Sequence, residues 1–160
     1  MTTTINASLA AQLTLLVTRD DVDSAGSLDT VHSAFNQAQT LNADSTPPVT
    51  KKYAAELTGT QTLDLTAAAD PELGTLDMSG LKLQAMLVVN LSTTDNLVVE
   101  DGAANPYQVN AGDTIVIEEG GENFALMYFG GKLADVAAGA KNLKFTAAPG
   151  ESYQVILVFG

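Results

Sequence analysis

The chain has 160 residues with no cysteine and no tryptophan, and its 19 acidic against 7 basic side chains leave a formal charge of -12. That length suits one domain, whose folding takes about 68–70% of the unfolded chain's surface out of water. Without cysteine, disulfides and thiolate metal sites are excluded, and the negative balance repels both nucleic-acid phosphates and anionic lipid.

The opening Met-Thr-Thr-Thr-Ile-Asn lacks the basic start of a signal peptide. No segment approaches the roughly 20 apolar residues of a spanning helix. A soluble protein made in the cytoplasm is the expectation. Residues 8–18 alternate, with Leu9, Ala11, Leu13, Leu15 and Val17 sharing one face, and predict a strand. Residues 1–18 are either the first strand or an arm that reaches a neighbouring subunit. A polar connection with Asp20, Asp21 and Asp23 follows. In residues 28–41 the spacing of Leu28, Val31, Phe35 and Ala38 suits a helix, while Val31, Ser33 and Phe35 equally suit a strand.

Pro47 and Pro48 make residues 42–48 a loop. Strands are expected at 51–57 and 60–65, then a connection over 67–79 with room for one helical turn. The stretch from Gly80 to Tyr107 organises the rest. Leu81, Leu83, Ala85, Leu87, Val89 and Leu91 fall on every second residue, and Met86 and Val88 on the opposite face make this a strand covered on both sides. Turn residues at 92–96 lead to a second strand at 97–100, and the spacing predicts that the two pair as a hairpin.

Further strands are expected at 114–118 and 124–129, the second closed by Gly130 and Gly131. An Ala-rich turn or loop at 134–140 separates them from a last hairpin of 143–146 and 153–159 around Pro149-Gly150. Tyr153, Val155, Leu157 and Phe159 share one face of the final strand, with Ile156 and Val158 on the other. Short strands with turn signals every 8–12 residues or so predict an all-β fold: a single-domain, jelly-roll-like β-sandwich over 1–160 with short helical turns at most.

Catalytic resources are thin. A Ser, His and Asp triad requires an imidazole between nucleophile and carboxylate. The one histidine, His32, has only Asp29 and Ser33 close by on the same short element. The carboxylate groups Asp20/Asp21/Asp23, Glu100/Asp101 and Glu118/Glu119/Glu122 sit in turns or at strand ends, where solvated side chains are the ordinary reading. A glycosidase would need two of them roughly 5–9.5 Å apart across a groove. Ca²⁺ on the loop oxygens of Asp20, Asp21 and Asp23, or near Asp95 and Asp101, is the metal alternative. Gly120-Gly121 and Gly130-Gly131 lack the Lys-Ser or Lys-Thr of a phosphate loop. Residues 110–120 resemble a cupin stretch in which Gly-Asp precedes a strand, but one histidine excludes the cupin metal site. Asn6-Ala7-Ser8 and Asn90-Leu91-Ser92 match glycosylation sequons.

Thr62-Leu63-Asp64-Leu65, Gly80-Leu81-Lys82-Leu83-Gln84-Ala85, Val89-Asn90-Leu91 and Gly102-Ala103-Ala104-Asn105-Pro106-Tyr107, in that order, resemble a group of small structural proteins of tailed bacteriophages. Val155 to Gly160 matches their closing strand, and Glu119-Gly120-Gly121 stands where they have Pro-Gly-Gly. The resemblance covers residues 60–160, with 1–60 matching only loosely. It implies a non-enzymatic virion component without catalytic, cofactor or metal residues. A capsid decoration or accessory protein that stabilises the shell through repeated contacts is the first expectation. Its partners would be a major capsid or tail protein and further copies of itself, for example a trimer, with no nucleic acid or membrane. The alternative is a receptor- or carbohydrate-binding module of a tail or fibre, Ca²⁺-dependent if the acidic loops hold the ion.

Overall fold

Alternating strands must bury one face each, and eight of those in this chain do so as two facing four-stranded antiparallel sheets. The computed structural model describes residues 5–20, 28–102, 104–110 and 112–160. The first sheet runs in the order β10 (Asn123–Tyr128), β7 (Leu83–Asn90), β12 (Ser152–Phe159) and β3 (Lys51–Thr58). The second runs β4 (Gln61–Asp64), β11 (Asn142–Thr146), β8 (Leu97–Asp101) and β9 (Ile115–Ile117). The first sheet thus holds the first, third, sixth and eighth of these strands in chain order. That is the jelly-roll arrangement of two Greek keys.

Two expected hairpins are therefore not hairpins. β7 pairs with β10 and β12, and β8 with β11 and β9, so residues 91–96 carry the chain across the sandwich. β11 and β12 likewise lie in opposite sheets. Turn residues signal a reversal of direction, and a reversal serves equally to re-pair in one sheet or to cross to the facing one.

The core between the sheets draws on every layer: Tyr53, Leu63, Met86, Val88, Leu97, Val99, Ile117, Leu143, Phe145, Tyr153, Val155, Leu157 and Phe159 are all buried. In β12 the alternation runs as the spacing predicts, with Tyr153, Val155, Leu157 and Phe159 inward. β7 departs from it. Phe159 lies opposite Leu83 and Val158 opposite Ala85, so Gln84 is one extra residue, a β-bulge. The bulge reverses the parity of the alternating run. Leu83 joins the core with Met86 and Val88, whereas Ala85, Leu87 and Val89 turn to the outer surface. The Gln84 amide, itself buried, donates to the Pro47 carbonyl at 2.8 Å, and its backbone carbonyl accepts the Phe129 N–H at 2.7 Å.

The connection over 67–79 contains a small hairpin, β5 (Ala68–Asp70) with β6 (Gly74–Leu76), in place of a helical turn. No helix occurs among the described residues. Residues 134–140 form a loop closed by the Ala137–Ala140 bridge. At 130–131 the chain leaves β10 with φ of 58° and 71°, a conformation glycine adopts without a Cβ penalty.

Residues 28–41 resolve as strand. β1 (Ala7–Asp20) and β2 (Leu28–Leu41) pair antiparallel through fourteen positions, from Ala7 opposite Leu41 to Asp20 opposite Leu28. This ribbon joins neither sheet. At about 3.4 Å per residue its strands run about 48 Å, against about 27 Å for the eight-residue strands of the sandwich.

Candidate interaction surface

The bulge at Gln84 gives the first sheet an apolar outer face. Leu87 and Val89 from β7, Phe124 and Leu126 from β10, and Ile156 and Val158 from β12 line an open groove of 540 Å³ with Ala7 to Ala10 of the ribbon along its rim. Phe124 is 65% exposed and Ile156 41% exposed, and Tyr128, at the end of β10, is also exposed. A sheet that faces water ordinarily alternates apolar inside with polar outside. Here both faces of β7, β10 and β12 are apolar, and only one of them has a sheet packed on it.

The base of the ribbon covers one end of that face. Ile5, Ala7 and Leu9 pack against Ala85 and Val158, together with Leu41 and Val49. These residues form a small cluster separate from the main core. The ribbon's exit is fixed by a tight loop: Asn42 accepts the Ser45 and Val49 N–H groups on its carbonyl at 3.2 and 2.8 Å, and its side-chain oxygen accepts the Asp44 N–H.

The sequence candidates for chemistry are placed apart. His32, Asp29 and Ser33 lie along β2, opposite Leu16, Arg19 and Leu15. Asp20 ends β1; Asp21 and Asp23 lie outside the described residues. Glu100 stands opposite Lys144 in the second sheet. Its Oε1 accepts from Lys144 Nζ at 2.8 Å and Thr146 Oγ1 at 2.7 Å, in that order of effect, and the two hold the carboxyl below its usual range. Glu118, Glu119 and Glu122 are exposed in the turn before β10. Among the described residues, no three His, Asp or Glu side chains gather as a metal-binding group. Of the two sequons, Asn90 is buried with its amide spent on three carbonyls, whereas Asn6 is exposed.

Sequence reasoning missed Asp70. Its Oδ1 accepts the N–H groups of Glu72 and Leu73 at 2.9 and 2.8 Å, and its Oδ2 accepts that of Ala54 at 3.1 Å, tying the β5–β6 hairpin to β3. Burial raises its pKa, but these bonds and the nearby Lys52 outweigh that and hold it low. Asp70 stands before Pro71 in the 67–79 connection, and nothing in that local sequence signals a bond to Ala54, sixteen residues away. The outer apolar face was missed as well, because β7's two-sided apolarity was read as full burial.

These features define a class: a jelly-roll sandwich with a self-paired ribbon and an uncovered apolar sheet face. No protein-family model, curated protein or solved structure matches the chain.

Proposed function

We propose that this chain is a non-enzymatic structural protein of a bacteriophage virion, a capsid decoration or accessory protein that binds the shell through repeated subunit contacts. The observation that carries the reading is the apolar outer face of the first sheet beside the ribbon. Large exposed apolar patches mark interaction sites, since leaving them in water forfeits about 25 cal/mol for each Å². The ordered resemblance to small phage structural proteins adds to it. Its Thr62 to Leu65 segment falls in and just after β4, and its closing segment in β12.

Repeated binding of a folded subunit stabilises a shell by mass action. The test is direct. Particles banded on a density gradient, from cells that make this chain, are analysed by quantitative mass spectrometry. Many copies in a fixed ratio to the shell protein are expected, and re-adding the purified chain to stripped particles raises the temperature at which shells open. A chain found only in the particle-free lysate refutes the reading.

A further inference from the structure

An open sheet ends in strands whose outer backbone groups lack a ladder partner, and the four end strands of this sandwich are unalike. β4 and β9 have only four and three residues. β3 is charged, with Lys51, Lys52 and Glu56, and the Asp70 carboxylate already takes the Ala54 N–H. β10 has none of these protections. Asn123-Phe124-Ala125-Leu126-Met127-Tyr128 carries no charge and no proline, and among the described residues it pairs with β7 alone. The ladder fixes which of its backbone groups point to the open edge. Leu91 donates its N–H to the Ser152 carbonyl, so beyond the bulge the odd positions of β7 face β12 and the even ones face β10. Asn90, Val88 and Met86 stand opposite Asn123, Ala125 and Met127, which leaves the N–H and C=O groups of Phe124, Leu126 and Tyr128 directed away from the sheet. The side chains of those same residues share the outer face, with Phe124 65% and Tyr128 50% exposed.

We propose that β10 pairs antiparallel with β10 of a second copy about a twofold axis at Leu126, joining the two first sheets into one continuous sheet. A second copy is the occupant because this edge is its own complement. Setting Phe124 opposite Tyr128, and Leu126 opposite Leu126, brings edge-directed groups against edge-directed groups, and each opposed pair exchanges both backbone hydrogen bonds. A shift of one residue would set them against groups already spent on β7. The same register keeps outward side chains together, so the apolar outer faces merge across the seam. It places Glu122 opposite Gly130, so no carboxylate meets a carboxylate along the strand even though each copy bears a charge of -12. The contact joins one patch to its own copy and therefore closes as a dimer, by the edge-addition mode that extended segments use in recognition. The inference goes beyond the virion reading and does not depend on it.

Light scattering on the unmodified full chain is expected to give twice 16.6 kDa, and the amides of Phe124, Leu126 and Tyr128 should exchange with deuterium more slowly as protein concentration rises. Leu126→Pro removes an N–H that faces the edge and leaves the β7 ladder intact, so it should weaken association by about 30-fold. Circular dichroism and cooperative unfolding check that the sandwich persists. Leu126→Lys, which sets like charges opposite each other across the axis, gives the same readout without a proline. Cysteine placement reads the register, because the chain has none of its own. The Cα of Leu126→Cys lies about 5.5 Å from its twofold mate, within reach of a short thiol cross-linker. Phe124→Cys lies about 14 Å along the strand from its mate and should link far less. Four results overturn the proposal: a monomeric unmodified chain, which leaves the edge to another protein's strand; a dimer indifferent to both Leu126 substitutions; cross-linking no better at 126 than at 124; or edge amides whose exchange is the same at every concentration, as when the chain's own residues cover them. All are read on isolated protein, so the chain's presence in particles decides the virion reading separately.

Discussion

Tyr153 packs its ring 5.6 Å from that of Phe145, tilted by 31°, bridging the two sheets at the centre of the core. Its hydroxyl is buried there without a protein hydrogen-bond partner among the described residues, and burial, with Tyr53 second, pushes its pKa far up. Tyr107 is its counterpart. Equally buried, it donates its hydroxyl hydrogen to the Ala134 carbonyl at 2.8 Å and accepts the Leu83 N–H at 3.1 Å. The same substitution should therefore act in opposite senses. Tyr153→Phe keeps the ring contact and removes an unpaired polar group, so stability is unchanged or rises by up to about 1 kcal/mol. Tyr107→Phe strands a buried N–H and a carbonyl and costs about 1–3 kcal/mol. Urea unfolding of the two variants side by side decides it; equal losses would show that the Tyr153 hydroxyl is satisfied.

Asn90 holds the crossing from β7 to β8. Its side-chain N–H groups donate to the carbonyls of Asp95, Ile117 and Glu118 at 2.9, 3.1 and 3.1 Å, and its Oδ1 accepts the Ser92 N–H at 3.0 Å. One amide thereby joins the end of the first sheet to β9 of the second. Asn90→Ala should cost about 2–3 kcal/mol by leaving buried carbonyls unpaired. Asn90→Asp should be worse, because it presents carboxylate oxygens to those same carbonyls. Thermal unfolding at neutral pH checks the order Asn, Ala, Asp from most to least stable.

The strands were largely legible from the two-residue period, because a half-buried strand must alternate: residues 8–18, 51–57 and 153–159 fall within β1, β3 and β12. The partners were not. A turn such as 92–96 has the same composition whether the chain re-pairs or crosses, and the deciding contact, Asn90 to Ile117, spans 27 residues. Parity within β7 was hidden for a different reason. One bulge residue, Gln84, reverses it, and nothing in an unbroken apolar alternation announces an extra residue. The outer face followed from that reversal and so stayed out of sight. Residues 28–41 carried both periods, and pairing with β1 settled them as strand.

Gly102 sits where backbone approaches backbone. A Cβ there would lie 2.6 Å from Asn142 Cβ and 2.9 Å from its carbonyl oxygen, the same oxygen that accepts the Gly102 and Tyr107 N–H groups at 3.2 and 2.8 Å. Gly102→Ala must push the loop off β11 and should cost about 1–3 kcal/mol. Gly139 is the control. A Cβ there meets nothing within 4 Å, so Gly139→Ala should leave stability unchanged or raise it by about 0.4–1 kcal/mol through the unfolded chain. Calorimetric melting of both variants separates steric exclusion from a general intolerance of glycine replacement.

Acid should weaken the fold through a small set of carboxylates. Asp64, held low first by Lys141 and then by Thr66, Glu100, held low by Lys144 and Thr146, and Asp70, held low despite burial by three backbone N–H groups, all have folded pKa values below their ordinary ones. A group with a depressed folded pKa contributes its stability above the unfolded value and loses it as pH falls through the folded one. The loss therefore begins near the ordinary carboxylate range of about 4 and continues below it. Relief of the chain's own negative repulsion works the other way, but it acts almost equally on a single-site variant. Asp70→Asn should cost about 2 kcal/mol at pH 7, because its amide hydrogens face backbone N–H groups that need an acceptor. The gap between variant and unmodified chain should then narrow as pH drops below 4 or so. Parallel stability curves from pH 7 downward would show that the Asp70 charge contributes nothing to holding the β5–β6 hairpin on β3.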